Sequence, residues 1–589
     1  MLVLGVIDSK PSSAALLDGG RILAAVAEER LCRMKLASGV PRQAIAEAIR
    51  LAGVAPEDIE AVGVAQRACT YEPDPIPWTG WFEDQESLRT FRFDQMSASL
   101  APLFGRFPWA LKAHHALKRL RSRERLERLP LLLREAYGLR APVSFHDHHF
   151  CHATSAYYTS GFDQALVVTL DGGGDGRSGS VYVGRAAGLR KLASVDSFHS
   201  LGNLYSYITT VCGFQAERHE GKITGLAAYG EPVYADLLRS LVEFRDGTIR
   251  YLVPMYYHSA LRELRSRLPA DFRHSDLAAS MQLVFEEIGA AFIQHWLRKT
   301  GLRNLALAGG CFGNVKLNQR IHELPEVDRI FIHPAMDDGG LGVGAAFAVL
   351  QFRGRAAAPE EYGRLPHVYL GPSCDEAEIR EALRDEGLET RHDPGIHETI
   401  GRLLSEGHVV ARFHGRMEYG PRALGHRSIL YQTIDPSVND WLNERLARTE
   451  FMPFGPSTLA ERASECYENI GGAEDPARFM TVTFDCTEAM KHRSPGVVHI
   501  DGTARPQLVD AGTAPDLHRT LDAYYRRTGI PSLVNTSFNL HEEPIVCSPG
   551  DALRAFRLGN LDYLAIGDFL VENREAIARH RHERVRALS

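Results

Sequence analysis

The residues best suited to chemistry lie between positions 145 and 158, where His146, His148, His149 and His152 crowd around Asp147 and Cys151. The apolar run before them reads as a strand end, and 153–158 reads as helix. His148 and His152 are four residues apart and would share one helical face. Two imidazoles on one face, joined by a distant carboxylate, can hold a divalent metal. The same spacing also suits a capping histidine with surface neighbours, so the pattern alone leaves both readings open. His114 and His115 are adjacent, cannot share a helical face, and make weaker ligand candidates.

Several segments offer anion contacts. Asp171, Gly172, Gly173, Gly174 and Asp175 follow a strand read over 165–170, where bare backbone could approach phosphate oxygens, although such a cluster also makes an ordinary hairpin turn. Lys222 is a further candidate. Gly309 and Gly310 stand between a strand and a helix, with Asn314 beyond them, an order that suits a nucleotide at a helix N-terminus. A strand over 330–332 leads to Asp338, and the small residues at 339–346 would let the next helix pack closely. Residues 415–428 hold Arg416, Glu418, Arg422, Arg427 and Ser428 among glycines, a loop able to grip phosphate or carboxylate bidentately. Residues 531–539 read as a strand entering a polar turn, with Asn535 and Ser537.

The elements that must position these groups are those of a mixed α/β protein. Strands are expected over 2–7, 14–17, 21–26 and 61–64, with an amphipathic helix over 41–51. Residues 70–140 interrupt the pattern as an insertion. Its aromatic, Pro-rich start, including Trp78 and Trp81, suits a lid that shapes an acceptor site. A helix over 111–137 carries Arg119, Arg121, Arg123, Arg125 and Arg128, which read as a solvated face, with acceptor binding as the lesser alternative. A linker over 356–366 divides a domain of residues 1–360 from a second of 366–589, and no internal repeat is visible. The chain of 589 residues is long enough for two domains or more. A formal charge of −7 argues against a nucleic-acid binder. Nine scattered cysteines without a paired motif suit a reducing cytoplasm. The opening apolar run is too short for a signal peptide and ends in an acid, and no run approaches the ~18 residues of a membrane span.

Taken in order over nearly the whole length, these motifs resemble the O-carbamoyltransferases of the nodulation and antibiotic-tailoring group; residues 501–507 belong to the set. The resemblance implies an N-terminal domain of the actin-like ATPase superfamily, similar to the tRNA threonylcarbamoyl-transfer protein. It implies a C-terminal α/β domain similar to threonylcarbamoyl-adenylate synthase. The second would make carbamoyl adenylate from carbamoyl phosphate and magnesium-bound ATP; the first would pass the carbamoyl group to a hydroxyl of a small natural-product acceptor. On this basis His148, His152 and Asp338 would hold a divalent metal, iron(II) by resemblance. The 171–176 loop, Lys222, Gly309, Gly310 and Asn314 would hold the adenylate, while Arg416, Arg422, Arg427, Ser428, Arg448, Asn535 and Ser537 would line the synthase site.

Two departures stand out. Where the family has a His-Asp pair, this chain has Pro11 and Ser12, leaving Asp8, Lys10 or a neighbouring histidine as the proton acceptor. Arg448 fits the family pattern, but Leu446 and Met452 occupy usually basic positions. Transfer onto nitrogen and a lapsed nucleotide-binding module are the competing readings. The expected partner is a small hydroxylated acceptor, with neither nucleic acid nor membrane, and self-association into a homodimer stays open.

Overall fold

A computed structural model describes residues 1–78, 80, 107–356, 361, 363–386, 390–449 and 451–580; Trp81 and most of the insertion's aromatic start lie outside them. The chain divides into two compact units, Met1–Cys32 with Leu36–Leu365, and Arg33–Lys35 with Pro366–Ser589.

The first unit holds two five-stranded sheets. The first comprises β1 (Leu2–Ile7), β2 (Ser13–Asp18), β3 (Arg21–Ala27), β4 (Ala61–Ala65) and β5 (Val143–His146), in the order β3-β2-β1-β4-β5. The hairpin strands pair antiparallel, whereas β1–β4 and β4–β5 are parallel. The second sheet uses β6 (Ala165–Gly174), β7 (Arg177–Arg185) and β8 (Gly188–Asp196). After a separate hairpin of β9 (Val242–Arg245) and β10 (Thr248–Tyr251), it is completed by β11 (Asn304–Ala308) and β12 (Arg329–Ile332). Its order, β8-β7-β6-β11-β12, and its strand directions repeat those of the first sheet. The sequence hides this repeat because what recurs is topology, not residue identity. The fold is mixed α/β, as expected.

Close packing of the helix Leu341–Phe352 joins the parts. A Cβ on Gly5 or Gly63 would lie 1.9 Å from Gly342 O or 2.4 Å from Ala345 O, so β1 and β4 touch this helix backbone to side. On its other side a Cβ at Gly344 would come within 1.9 Å of Cys151 O, in the helix His148–Ser160. Thr154 Oγ1 donates to Gly344 O at 2.7 Å across the same contact. The small residues after Asp338 therefore set the distance between the helix bearing the histidines and the helix that follows Asp338.

The helical stretch of the insertion is two helices, Pro108–Arg121 and Arg123–Tyr137, broken at Ser122. Arg119, Arg123 and Arg128 are exposed, as expected of a solvated face. Arg125 is not: it is fully buried and clamps Asp8 bidentately, with Nε–Oδ2 at 2.7 Å and Nη2–Oδ1 at 2.5 Å. Its remaining protons go to Gln66 O and Ala65 O at the end of β4. The reading of this run as solvent-facing is corrected at that residue, because β1 ends in a buried acid that needs a cation.

The second unit is built on one mixed eight-stranded sheet. Its strands are β13 (Thr390–His392), β14 (Val410–Phe413), β15 (Arg427–Gln432) and β16 (Gly455–Leu459), then β19 (Gln507–Val509), β20 (Ser532–Ser537), β21 (Tyr563–Ile566) and β22 (Phe569–Glu572). The short β17 (Phe484–Asp485) and β18 (Thr503–Ala504) pair apart from it. Helices Ile396–Ser405 and Pro515–Thr528 cover one face through Ile400, Leu404, Leu517, Leu521 and Tyr524.

Removing the buried guanidinium would leave the Asp8 charge unpaired. Arg125→Ala is expected to destabilise the protein by about 3–5 kcal/mol in chemical denaturation, and Asp8→Asn in the same chain to recover part of that loss. A cost below about 1 kcal/mol would mean that water reaches Asp8 and that the pair holds nothing together.

Candidate active site

In the first unit four side chains from three elements converge. The helix His148–Ser160 begins directly after β5 and Asp147, whose carboxylate caps it by accepting from Phe150 N at 3.1 Å. Asp147 is itself held by Arg177. His148 and His152, 1% and 0% exposed, point from the first turns with ring centroids 4.7 Å apart. His148 Nε2 lies 3.0 Å from Asp171 Oδ2 and 3.4 Å from Asp338 Oδ1. His152 Nε2 lies 3.2 Å from Asp338 Oδ1 and 3.8 Å from Asp171 Oδ2. All four donor atoms fall within 4.8 Å of one another.

Asp171 lies within β6 and Asp338 in the turn that precedes the helix Leu341–Phe352. Gly310 N donates to Asp171 Oδ1 at 3.1 Å, so the second glycine of the 309–310 pair orients this carboxylate. A Cβ at Gly174 would strike the His148 ring at 2.2 Å. Asp175 accepts from Arg67 N, Ala68 N and His148 N at 2.7–3.0 Å and so ties the hairpin tip to the start of the helix. The cluster of glycines and acids is thus a hairpin turn that positions the histidines, with Asp171 as a fourth member of the quartet. The sequence pointed to His148, His152 and Asp338 as ligands but put Asp171 in the nucleotide loop, since an acid beside three glycines looks like a phosphate turn.

The charges are balanced within the cluster. Burial works against a protonated His148, but the Asp338 charge and the Asp171 hydrogen bond outweigh it and hold the ring up to about 9. His152 moves the same way. Burial would raise Asp171, yet the two histidines keep it well below the usual carboxylate range. The neighbouring His149 is a core residue: it bonds Thr169 Oγ1 and Arg177 O, both at 2.9 Å, and burial pushes it down to about 3.

Two imidazole nitrogens and two carboxylate oxygens form a donor set that suits a divalent metal such as iron(II), manganese or zinc. Asn314 is engaged otherwise. It caps the helix Val315–His322 through Leu317 N and forms a reciprocal amide pair with Gln282. Lys222 is buried in the helix Glu220–Leu226, with Nζ 5.8 Å from the Phe214 ring centre. Of the open proton acceptors, Asp8 is taken by Arg125. Lys10 lies between Glu217 and the Trp78 ring, 4.1 Å from the ring centre. Burial, opposed by Asp338, Glu220 and Asp171, pushes the ammonium down to about 7; the side chain keeps 23% exposure, and water there moderates the shift.

In the second unit most of the arginines expected to hold ligand hold the chain itself. Arg416 donates to Leu370 O and Gly371 O. Arg427, fully buried over Phe413, donates to His414 O, Gly415 O and His426 O. Arg448 binds Thr536 Oγ1, Ser537 O and Asn539 O. Ser428 Oγ accepts from Gly425 N. Asn535 Nδ2 bonds Ser457 and Gln507, both at 2.9 Å. Gly415 and Gly425 take left-handed conformations, and their carbonyls accept from Arg427 and Arg412. Arg422 is half-buried beside Ala423. Arg412 is the cation that sequence reasoning missed. It is 1% exposed on β14, its Nη1 donates to Gly425 O, and its Nη2 is buried without a hydrogen-bond partner. Burial pushes it down to about 10. The only hint was a charge inside an otherwise apolar strand.

Residues 127–347 match the family model described as carbamoyltransferase N-terminus, and residues 401–573 the one described as carbamoyltransferase C-terminus. The nodulation protein NolNO of Sinorhizobium fredii is 32% identical over 96% of this chain and 79% of its own length. The nodulation protein NolO of Bradyrhizobium diazoefficiens is 36% identical over 73% of this chain and 79% of its own. Solved structures overlap only loosely; HypF of T. kodakarensis covers 61% of this chain and 48% of its own at TM-score 0.33 and 13% identity. The paired family matches define a transferase of carbamoyl groups. The chain belongs to the carbamoyltransferase family, and it is an enzyme.

Because the free cluster carries protons on its histidines, a metal must displace them. Apparent affinity for a divalent ion is expected to rise with pH from 6.5 and to level off near 9, with proton release at pH 7. Calorimetric titration in two buffers of different ionisation enthalpy reads this directly. Affinity independent of pH, with no protons released, would contradict the charge distribution described.

Proposed function

We propose that the protein is an ATP-dependent O-carbamoyltransferase working in two steps on a small hydroxylated metabolite. The reading is carried by the cluster of two buried histidines and two half-buried carboxylates in a chain matched to carbamoyltransferase models in both units. In the C-terminal unit water cleaves carbamoyl phosphate to phosphate and carbamate. A carbamate oxygen then attacks the α-phosphorus of ATP, and pyrophosphate leaves. The buried Arg412 and the half-buried Arg422 are the cations for these anionic substrates. In the N-terminal unit the acceptor hydroxyl attacks the carbamoyl carbon, the bond from that carbon to the phosphate oxygen breaks, and AMP departs.

Lys10 takes the hydroxyl proton, and the Trp78 ring beside it forms part of the acceptor's surroundings. His148, His152, Asp171 and Asp338 would hold a divalent cation, iron(II) being the expected ion, and when bound it would offer positive charge near the leaving phosphate.

Pyrophosphate release from ATP should depend on carbamoyl phosphate and need no acceptor. Mass spectrometry of a hydroxylated metabolite panel should find one product heavier by a carbamoyl unit. Arg422→Lys, which keeps charge but loses the fork, should slow pyrophosphate release by the equivalent of about 1.5–3 kcal/mol. Lys10→Met should leave that release intact and stop product formation. Absence of any release stimulated by carbamoyl phosphate would remove the activation step, and a carbamoylated amine would move the acceptor class to nitrogen.

A further inference from the structure

The C-terminal unit contains a second convergence of ligand atoms that neither step above uses. His397 lies in the first turn of the helix Ile396–Ser405, His414 directly follows β14, and Asp516 lies in the first turn of the helix Pro515–Thr528. His414 Nε2 is 2.8 Å from Asp516 Oδ2, and His397 Nε2 is 3.5 Å from Asp516 Oδ1. The three donor atoms lie within 4.8 Å of one another, and the imidazole centroids are 5.6 Å apart. An ion bonded at ~2.0–2.2 Å to such donors needs them ~3.4 Å apart, so the two rings and the carboxylate must draw together around it.

Thr520 Oγ1 donates to Asp516 O at 3.2 Å and stands 3.4 Å from His397 Nδ1. An oxygen partner on the far nitrogen is also how metal-bound histidines are commonly oriented. Arg519 also reaches Asp516 but is 64% exposed and free to swing into solvent.

We propose that His397, His414 and Asp516 form a second divalent transition-metal site, of zinc type, separate from the His148 cluster. Three protein ligands leave one position for water or an incoming group. The ion would clip the entry of the 415–428 loop to two helices, since His414 N donates to His426 O at 3.0 Å across the mouth of that loop. The site is open enough for exchange, because its side chains retain 14–27% exposure.

The test uses the full chain carrying His148→Ala and His152→Ala, which disable the first cluster, stripped with a chelator. Equilibrium dialysis against zinc(II), read by mass spectrometry of the metal, should retain about one ion per chain. Cobalt(II) in its place should give the visible bands of a low-coordinate nitrogen–oxygen site. Adding His397→Ala or His414→Ala should abolish retention while circular dichroism stays unchanged. Thr520→Val, which leaves every ligand in place, should weaken binding roughly tenfold. No retained ion in the starting variant overturns the proposal. So does an ion that survives both histidine replacements.

Discussion

Two carboxylates and two imidazoles cannot be buried together without cations to match. Around His148, His152, Asp171 and Asp338 that requirement is met by protons or by a metal, and the first unit is arranged to supply the four atoms from separate elements. One carboxylate comes from the second sheet and the other from the turn before the helix Leu341–Phe352, which packs on the first sheet. Gly310 N aims Asp171, and the Asp175 carboxylate anchors the start of the helix that carries the histidines. Gly344 and Cys151 set the separation of two helices at backbone contact. A methyl group at Gly344 would strike the backbone of the helix that carries the histidines, 1.9 Å from Cys151 O.

The second unit buries main-chain groups instead. Its 415–428 loop turns through left-handed glycines and buries carbonyls beside the Glu418 carboxylate, and guanidinium groups are the donors that can serve several carbonyls at once. Arg416 and Arg427 organise this loop, and Arg448 fastens the end of β20. Glu418 completes the arrangement by accepting from Leu424, His426 and Arg427 backbone nitrogens. Arg412 Nη2, like Arg427 Nε and Glu418 Oε2 in the loop, is buried without a hydrogen-bond partner.

Local pattern made the edges of the fold legible. The expected strands over 2–7, 21–26 and 61–64 correspond to β1, β3 and β4, because each is a short apolar run closed by a turn residue. The pairing of His148 with His152 was legible for the same reason, since helical spacing is local. What required three dimensions was everything joined across the chain. Asp171 meets the histidines only because β6 runs beside them, and no spacing rule links positions 23 residues apart. Arg125 was read as solvent-facing because its neighbours are; only the buried acid at the end of β1 explains it. The doubled sheet was invisible because strand order leaves no trace in residue identity. The arginine loop was recognised as special, but donors that bind ligand and donors that bind backbone are the same residue type.

The account stands or falls on two chemical steps having two separate sites. His148→Ala removes one ligand of the buried cluster and leaves every residue of the C-terminal unit in place. The decisive measurement follows both steps in that one variant, with its folding checked by circular dichroism. Pyrophosphate release without acceptor should persist near the normal rate, while carbamoylated product should fall by a factor of 100 or more, on the order of 2.7 kcal/mol at the transfer step. If both fall together in a folded protein, the steps share a site and the two-site scheme is wrong. If neither falls, the quartet is a charge-balanced core cluster and plays no part in carbamoyl transfer.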